Sequence, residues 1–377
     1  MNLEPLSDEI LKQIIDAYNE FGSKRAAAKS LGIARSTFQH RYTAALKRGY
    51  SPSHDMNHIA PEGFAVKGTS TLRDADGNIK IQWTKTNADK DRQHQLMISV
   101  IEDMAKDLPR LVKLPKPKQT LNKLLNLYTF TDYHMGMLAW HKEGGADWDL
   151  KIAEKMLGDC FRHMVAGAPQ AKHAVILQLG DFLHTDGILP VTPMHGHILD
   201  TDSRFSKIVA VTIRALRNLV DMALLKHETV HVVMAEGNHD ITSSIWLRAM
   251  FRTLYENEPR VTVNESELPY YAHQFGNVML GFSHGHMKKK DSMPLLFAAQ
   301  FSKIWGETTK RYIHCGHFHN EQVNEHSGVK VMQHPTLSAR DAYAARGGWL
   351  SERQAKCITY HRDFGEVASN VVTPEML

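Results

Sequence analysis

The chain has 377 residues, 42% of them hydrophobic and 23% charged, with a formal net charge of +4. That length buries a sizeable core, the composition excludes large-scale disorder, and no apolar run is long enough to span a bilayer. The first residues carry neither the basic nor the apolar segment of a secretory signal, and Cys160, Cys315 and Cys357 lack paired spacing, which excludes a disulfide framework or a cysteine zinc module and points to a reducing cytoplasm. Histidine is the outlier at 23 residues, and neutral imidazole is a common transition-metal ligand.

Leu6 to Tyr50 read as three short helices. Ser7 caps the first, with Asp8 and Glu9 in its opening turn, Ile10, Leu11, Ile14, Ile15 and Tyr18 at helical spacing, and Gly22 as its stop. Ser23 caps a second helix carrying Ala26, Ala27 and Leu31 inward, broken at Gly32. A third presents Phe38, Tyr42, Ala45 and Leu46 to the core. Helix, helix, tight glycine turn, helix is the helix-turn-helix pattern. His54 to Lys118 changes character: Thr69–Arg73 and Asn78–Trp83 flank Asp76-Gly77 as a β-hairpin, and a helix over Gln93–Asp107 follows. Asp74 to Asn78 has the opening of a calcium loop, but Lys85 stands where that loop needs its bidentate acid. Leu114-Pro-Lys-Pro-Lys is a stiff linker. The predicted domains are 1–50, 51–120 (hairpin, helix and linker) and 121–377.

From Leu121 strands and helices alternate. The predicted strands are Leu124–Thr131, His173–Leu179, Thr229–Ala235, Tyr271–Phe275, Val278–Phe282 and Arg311–His314, with helices over Leu150–Val165 and Phe205–Lys226. Five groups of metal-ligand residue types follow these strands: Asp132-x-His134, Gly180-Asp181, Gly237-Asn238-His239-Asp240, His284-Gly-His286 and Gly316-His317-x-His319. Functional groups of α/β sheets gather at the carboxyl ends of strands, and every one of these lies at such an end.

In order and type these groups resemble the motifs of the calcineurin-like metallophosphoesterases, over about Leu121 to Glu366. The resemblance implies an α/β fold, a two-sheet αββα sandwich behind the small all-α helix-turn-helix domain. It implies two divalent ions, manganese first with iron or zinc as alternatives. One would be held by Asp132, His134, Asp181 and His319, the other by Asp181, Asn238, His284 and His317, with Asp181 bridging. A water acidified between two cations attacks phosphorus in line. His239 matches the general acid for the leaving group, and Asp240 would orient its ring by hydrogen bonding. Gly180-Asp-Phe-Leu-His184 is similar to the matching motif of the SbcD-type DNA nucleases, which implies His184 beside the scissile phosphodiester. Thr185-Asp186-Gly187 departs from the protein-phosphatase pattern. His195, His197, Asp200 and Asp202 fall in a long loop and either line a groove or have no role.

Between Phe21 and His54 no residue is acidic while Lys24, Arg25, Lys29, Arg35, Arg41, Lys47 and Arg48 are basic, which suits DNA backbone contact. With Phe38, Tyr42 and Leu46 inward, Arg35, Ser36, Gln39, His40 and Thr43 face out as base-reading candidates, with Lys24 and Arg25 on phosphate. A solvated, protein-binding helical domain is the alternative. The chain lacks the segments that follow the catalytic domain in SbcD-type nucleases, so an ATPase partner is not expected. Phage-encoded proteins with a helix-turn-helix ahead of a metallophosphoesterase are similar in layout, which would place the chain in a bacterial host cytoplasm. The expected function is a metal-dependent DNA nuclease. The alternatives are a phosphatase or small-molecule phosphodiesterase, and a DNA-binding regulator with an inert phosphoesterase domain.

Overall fold

The computed structural model describes residues 6–50, 64–74, 79–88, 114–193 and 195–377. They fall into two compact units, Met1–Pro109 and Arg110–Leu377.

The first unit contains α1 (Asp8–Phe21), α2 (Lys24–Ser30) and α3 (Arg35–Arg48). The hydroxyls of Ser7 and Ser23 accept the Ile10 and Ala26 N–H groups at 3.3 and 3.2 Å, closing the open amino ends of α1 and α2. Leu11, Ile14, Ile15 and Ala17 of α1 are buried with Phe38 and Ala45 of α3. On α2 the buried pair is Ala27 and Ala28, one position on from the expected Ala26, which is half-buried together with Leu31. The hairpin is formed by β1 (Phe64–Arg73) and β2 (Ile79–Ala88), antiparallel from Phe64 opposite Ala88 to Arg73 opposite Ile79. Both strands run further than their alternation predicts. The Asp76-Gly77 turn and the helix over Gln93–Asp107 lie outside the described residues.

The second unit runs β3 (Leu121–Phe130), α4 (His141–Gly144), α5 (Leu150–Gly167), β4 (Ala171–Gln178), α6 (Phe205–Lys226), β5 (Thr229–Met234), α7 (Ile241–Leu254), β6 (Val261–Val263), β7 (Tyr271–Phe275), β8 (Val278–Phe282), α8 (Met293–Gln300), α9 (Ser302–Glu307), β9 (Lys310–Cys315), β10 (Gln322–His326), β11 (Val329–Gln333), α10 (Ala342–Arg346), β12 (Ala355–His361) and β13 (Gly365–Val372). Two sheets result. The larger has the order β13-β12-β3-β4-β5-β6 and the smaller β10-β11-β9-β8-β7. β3, β4, β5 and β6 are mutually parallel, as are β8, β9 and β11, while β12, β13, β7 and β10 pair antiparallel at the margins.

Alternation along each strand decides what lies between the sheets. Leu125, Leu127, Val175, Leu177 and Val233 of the larger sheet meet Val278, Leu280, Phe282 and Tyr312 of the smaller in one buried cluster. The intervening residues face the helices. Tyr128 and Phe130 pack on Phe161 of α5 with centroids 4.9 and 6.1 Å apart, and Met279 and Ile313 pack on Met293 and Phe297 of α8. Cover on both faces explains why β8 is buried at all five positions and reads as an unbroken apolar run. Burying each such side chain stabilises the layers by about 1.5–3 kcal/mol. The α/β two-sheet sandwich of the sequence reading is present, and its parallel strands all end on one side.

Candidate metal centre

That shared end is where the five groups converge. Asp132 follows β3, Asp181 follows β4, Asn238 and His239 follow β5, His284 follows β8, and His317 and His319 follow β9. The turns are tight. Among the described residues the only non-glycine residues with positive φ are Asp132, His134, Asp181, His317 and His319, at 49°, 50°, 50°, 72° and 56°. Each costs on the order of 1 kcal/mol, and such strain gathers where a structure holds side chains in a working geometry. Two motif glycines make room: a Cβ on Gly237 would overlap the Asp181 carboxylate, and one on Gly316 the hydroxyl of Thr131.

The side chains form overlapping clusters whose ligand atoms lie within 4.8 Å of one another: Asp132, Asp181, His284 and His317; Asp132, His134 and His319; and His134, His184 and His239. Asp132 and His134 are therefore each common to two clusters, whereas Asp181, the expected bridge, lies in one, beside Asp132. Asp132 Oδ2 accepts from the Thr131 hydroxyl at 2.5 Å and from the His317 N–H at 2.8 Å. Its Oδ1 is 3.1 Å from His319 Nε2 and 3.8 Å from His284 Nε2, yet neither approach has hydrogen-bond geometry, so this fully buried oxygen has no donor. His284 carries the clearest mismatch. Its Nδ1 faces the Leu179 carbonyl at 2.9 Å, while its Nε2 faces Asn238 Oδ1 at 3.2 Å and Asp181 Oδ2 at 3.2 Å. Acceptors thus surround both ring nitrogens. Burial opposes charge on this ring, but Asp181 and Asp132 outweigh it and lift the imidazole to about 10. A proton or a metal ion at Nε2 resolves the clash, and the orphaned Asp132 oxygen favours the metal. Burial, with His239, His184 and His319 close by, holds His134 well below the usual imidazole range, which leaves it neutral with a lone pair to give. The residues fit two divalent ions.

Around these ligands the structure revises two expected roles. Asp240 does not orient the His239 ring. Its carboxylate is buried and accepts four backbone N–H groups, from Asp181 and Gly237 at 3.1 and 3.0 Å and from Phe182 and Leu183 at 2.7 and 3.2 Å, so it ties two ligand loops together. The His239 ring is fixed instead through Nδ1 to the His184 carbonyl at 2.9 Å, and its backbone N–H donates to Asp181 Oδ1 at 2.7 Å. His184 is 1% exposed, with its Nδ1 3.3 Å from His134 Nδ1 and its ring 5.6 Å from that of His239. It stands behind the ligands as a neighbour of His134 and His239 rather than facing solvent, because its loop is bridged to the segment after β3 through Met135–Leu183.

No family model and no curated protein matches the chain. Among solved structures it is similar to an archaeal phosphodiesterase (12% identity, 66% of this chain and 99% of that one, TM-score 0.34). It is also similar to vacuolar protein sorting 29 of Cryptosporidium parvum (14% identity, 66% and 95%, TM-score 0.32) and to a predicted phosphoesterase of Streptococcus pneumoniae (10% identity, 66% and 97%, TM-score 0.29). Identities and scores are low, and the chemistry of the site rests on its own residues.

Several supporting residues carry no sequence signal. Thr336 and Ser338 hydroxyls both donate to the Asp132 carbonyl, at 2.7 and 3.0 Å, from the segment after β11. Asp186 accepts the Thr242 and Ser243 N–H groups at 2.7 Å each, capping α7. Asp202 accepts the Leu150 N–H at 3.0 Å, which gives it a structural task, while His195 and His197 are exposed with rings 5.8 Å apart. In the first unit Arg25, Arg35, Ser36, Gln39, His40 and Thr43 are exposed, as the helical spacing predicts. Lys24 is half-buried with its Nζ 4.8 Å above the Tyr42 ring, and Gln39 and Thr43 bond each other on α3. Among the described residues no helix is long and apolar enough to cross a membrane.

Proposed function

We propose that the protein is a metal-dependent phosphodiesterase acting on DNA, a nuclease whose N-terminal helices deliver the substrate. The observation that carries the hydrolytic reading is the convergence of Asp132, Asp181, His284 and His317 with Asp132, His134 and His319 in clusters no wider than 4.8 Å. Divalent ions there, manganese in the first instance, supply positive charge that draws in a phosphodiester and lowers the pKa of water. The chain's own part is positional. Asp132 and Asp181 hold negative charge in a buried setting, and the loops bearing them are tied by Asp240 and by Thr336 and Ser338. With Nδ1 held by the His184 carbonyl, His239 presents Nε2, where a protonated ring gives its proton to the leaving oxygen. Support for DNA as substrate comes from the acid-free run between Phe21 and His54 and from the exposed polar face of α3.

The test incubates purified protein and Mn²⁺ with single- and double-stranded DNA and, separately, a chromogenic phosphate diester. The expected result is hydrolysis of both. Cleavage of the diester with none of DNA would overturn the nuclease reading and leave a small-molecule phosphodiesterase. Removing 1–50 should weaken DNA binding and flatten its salt dependence, since those cations displace counterions; unchanged affinity and slope would remove the delivery role.

A further inference from the structure

The loop leaving His284 carries side chains that hydrolysis of a small ester does not use. His286 is half-buried, its ring 5.3 Å from that of His284, and neither of its nitrogens has a hydrogen-bond partner. Met287-Lys288-Lys289-Lys290-Asp291 follows, three successive cations against one acid. Lys288 and Lys289 are exposed, and neither side chain has a partner among the described residues. Lys290 turns back towards the metal centre. Its Nζ lies 5.7 Å from the centroid of the Phe318 ring and donates to Gln322 Oε1.

Phe318 is the second feature. It stands between His317 and His319, two residues of the ligand clusters, yet is 54% exposed. Its ring centroid is 4.9 Å from that of His317 at 69°, and both flanking residues have positive φ, so its backbone is pinned by the metal-binding turn itself. A scattered exposed apolar residue needs no explanation. A solvent-facing ring packed on His317 and carrying a lysine is different, because it offers a flat π-face on the turn that bears two residues of the ligand clusters. Aromatic faces next to cations are how single-stranded nucleic acid is held: bases stack while lysines follow the backbone.

We propose that Phe318, Lys288 and Lys289 form a strand clamp at the metal centre, with Phe318 stacking an unpaired base next to the scissile phosphate and the two lysines holding the phosphates beyond it. The substrate class is then a single strand or a frayed end, since a base inside a closed duplex has no free face to stack. The clamp rests on the phosphodiester reading, which places the scissile phosphate.

A competition assay tests the clamp and that reading separately. Hydrolysis of a chromogenic phosphodiester by the full chain with Mn²⁺ is inhibited in parallel by a single-stranded DNA tetranucleotide, by the same backbone with abasic sugars, and by inorganic phosphate, which reports the metal centre alone. In the wild type the tetranucleotide should outcompete its abasic form about tenfold, a typical stacking gain. Phe318→Leu, which keeps an apolar side chain at an exposed position, should remove that advantage and raise the ratio of tetranucleotide to phosphate inhibition constants about tenfold. Lys288→Gln with Lys289→Gln should weaken both oligomers relative to phosphate and flatten their salt dependence. Equal inhibition by intact and abasic oligomers, or a Phe318→Leu ratio equal to wild type, overturns the clamp while diester hydrolysis persists. Absence of any diester hydrolysis overturns the phosphodiesterase reading and the clamp with it.

Discussion

Two populations of buried histidine divide this molecule, and they differ in what their ring nitrogens meet. His227 lies under the larger sheet, with Nδ1 facing the Ala171 carbonyl at 2.7 Å and Nε2 facing the Tyr128 hydroxyl at 2.9 Å. One neighbour accepts and the other can donate, so a neutral imidazole satisfies both. His314, between the sheets, is likewise matched, by His334 at 2.8 Å and the Tyr360 hydroxyl at 3.1 Å. His284 is equally buried but meets an acceptor on each side. A core histidine is finished by its surroundings, whereas a ligand histidine is left needing a cation. Histidine content alone cannot separate the two, because both populations contribute to the 23 residues.

The largest expected effect comes from removing the charge that faces His284. Asp181→Asn keeps the shape of the side chain and should lower diester hydrolysis about a thousandfold, ~4 kcal/mol at 1.36 kcal/mol per tenfold, with bound metal falling in elemental analysis. A variant that keeps both metal and rate would break the comparison, since His284 would then be a core histidine after all.

His184 tests the border between the populations. Its Nε2 is buried and unpartnered, like the Asp132 oxygen, yet it touches the ligands only through His134 and His239. His184→Gln should cost ten- to a hundredfold in activity or metal affinity, the usual effect of a residue that supports a ligand. A fall in thermal stability with activity per folded molecule unchanged would move His184 to the core population.

The parallel strands β3, β4, β5, β8 and β9 were legible in the sequence because each is an apolar run that stops at a polar residue of metal-ligand type. β8 was read at its true bounds. β6 and the four strands β10 to β13 were not. For β10 and β13 the reason is physical: Gln322–His326 and Gly365–Val372 are outer strands with polar exposed residues, so neither alternation nor an apolar run marks them, and β6 spans only three residues, too few to show a period. The ligands were legible as residue types, but their partners were not. Asp240 adjoins His239 in sequence, which suggested a side-chain pair. In the fold its carboxylate turns away to four backbone N–H groups. Thr336 and Ser338 reach Asp132 across 204 and 206 positions, a relation that spacing cannot carry.

The smallest effect, and the one that sharpens the core side of the comparison, is pH dependence at His227. Burial holds this imidazole down at about 4. Above the unfolded value of about 6.5 the ring is neutral in both states and its contribution to stability is intact. Between about 6.5 and 4 the unfolded chain takes up a proton that the folded chain refuses, so stability falls as pH falls, by about 1.4 kcal/mol per pH unit for this group. His227→Phe should remove that share of the slope while costing about 2 kcal/mol at pH 7.5, because the Tyr128 hydroxyl and Ala171 carbonyl lose their partner in the core. Urea unfolding of wild type and variant between pH 7.5 and 4.5 measures both quantities. The two stability curves should converge towards acid, while metal content and diester hydrolysis at pH 7.5 per folded molecule match the wild type. Parallel curves would mean that His227 takes up its proton over the same pH range folded as unfolded, and its two hydrogen bonds would then have to be reassigned.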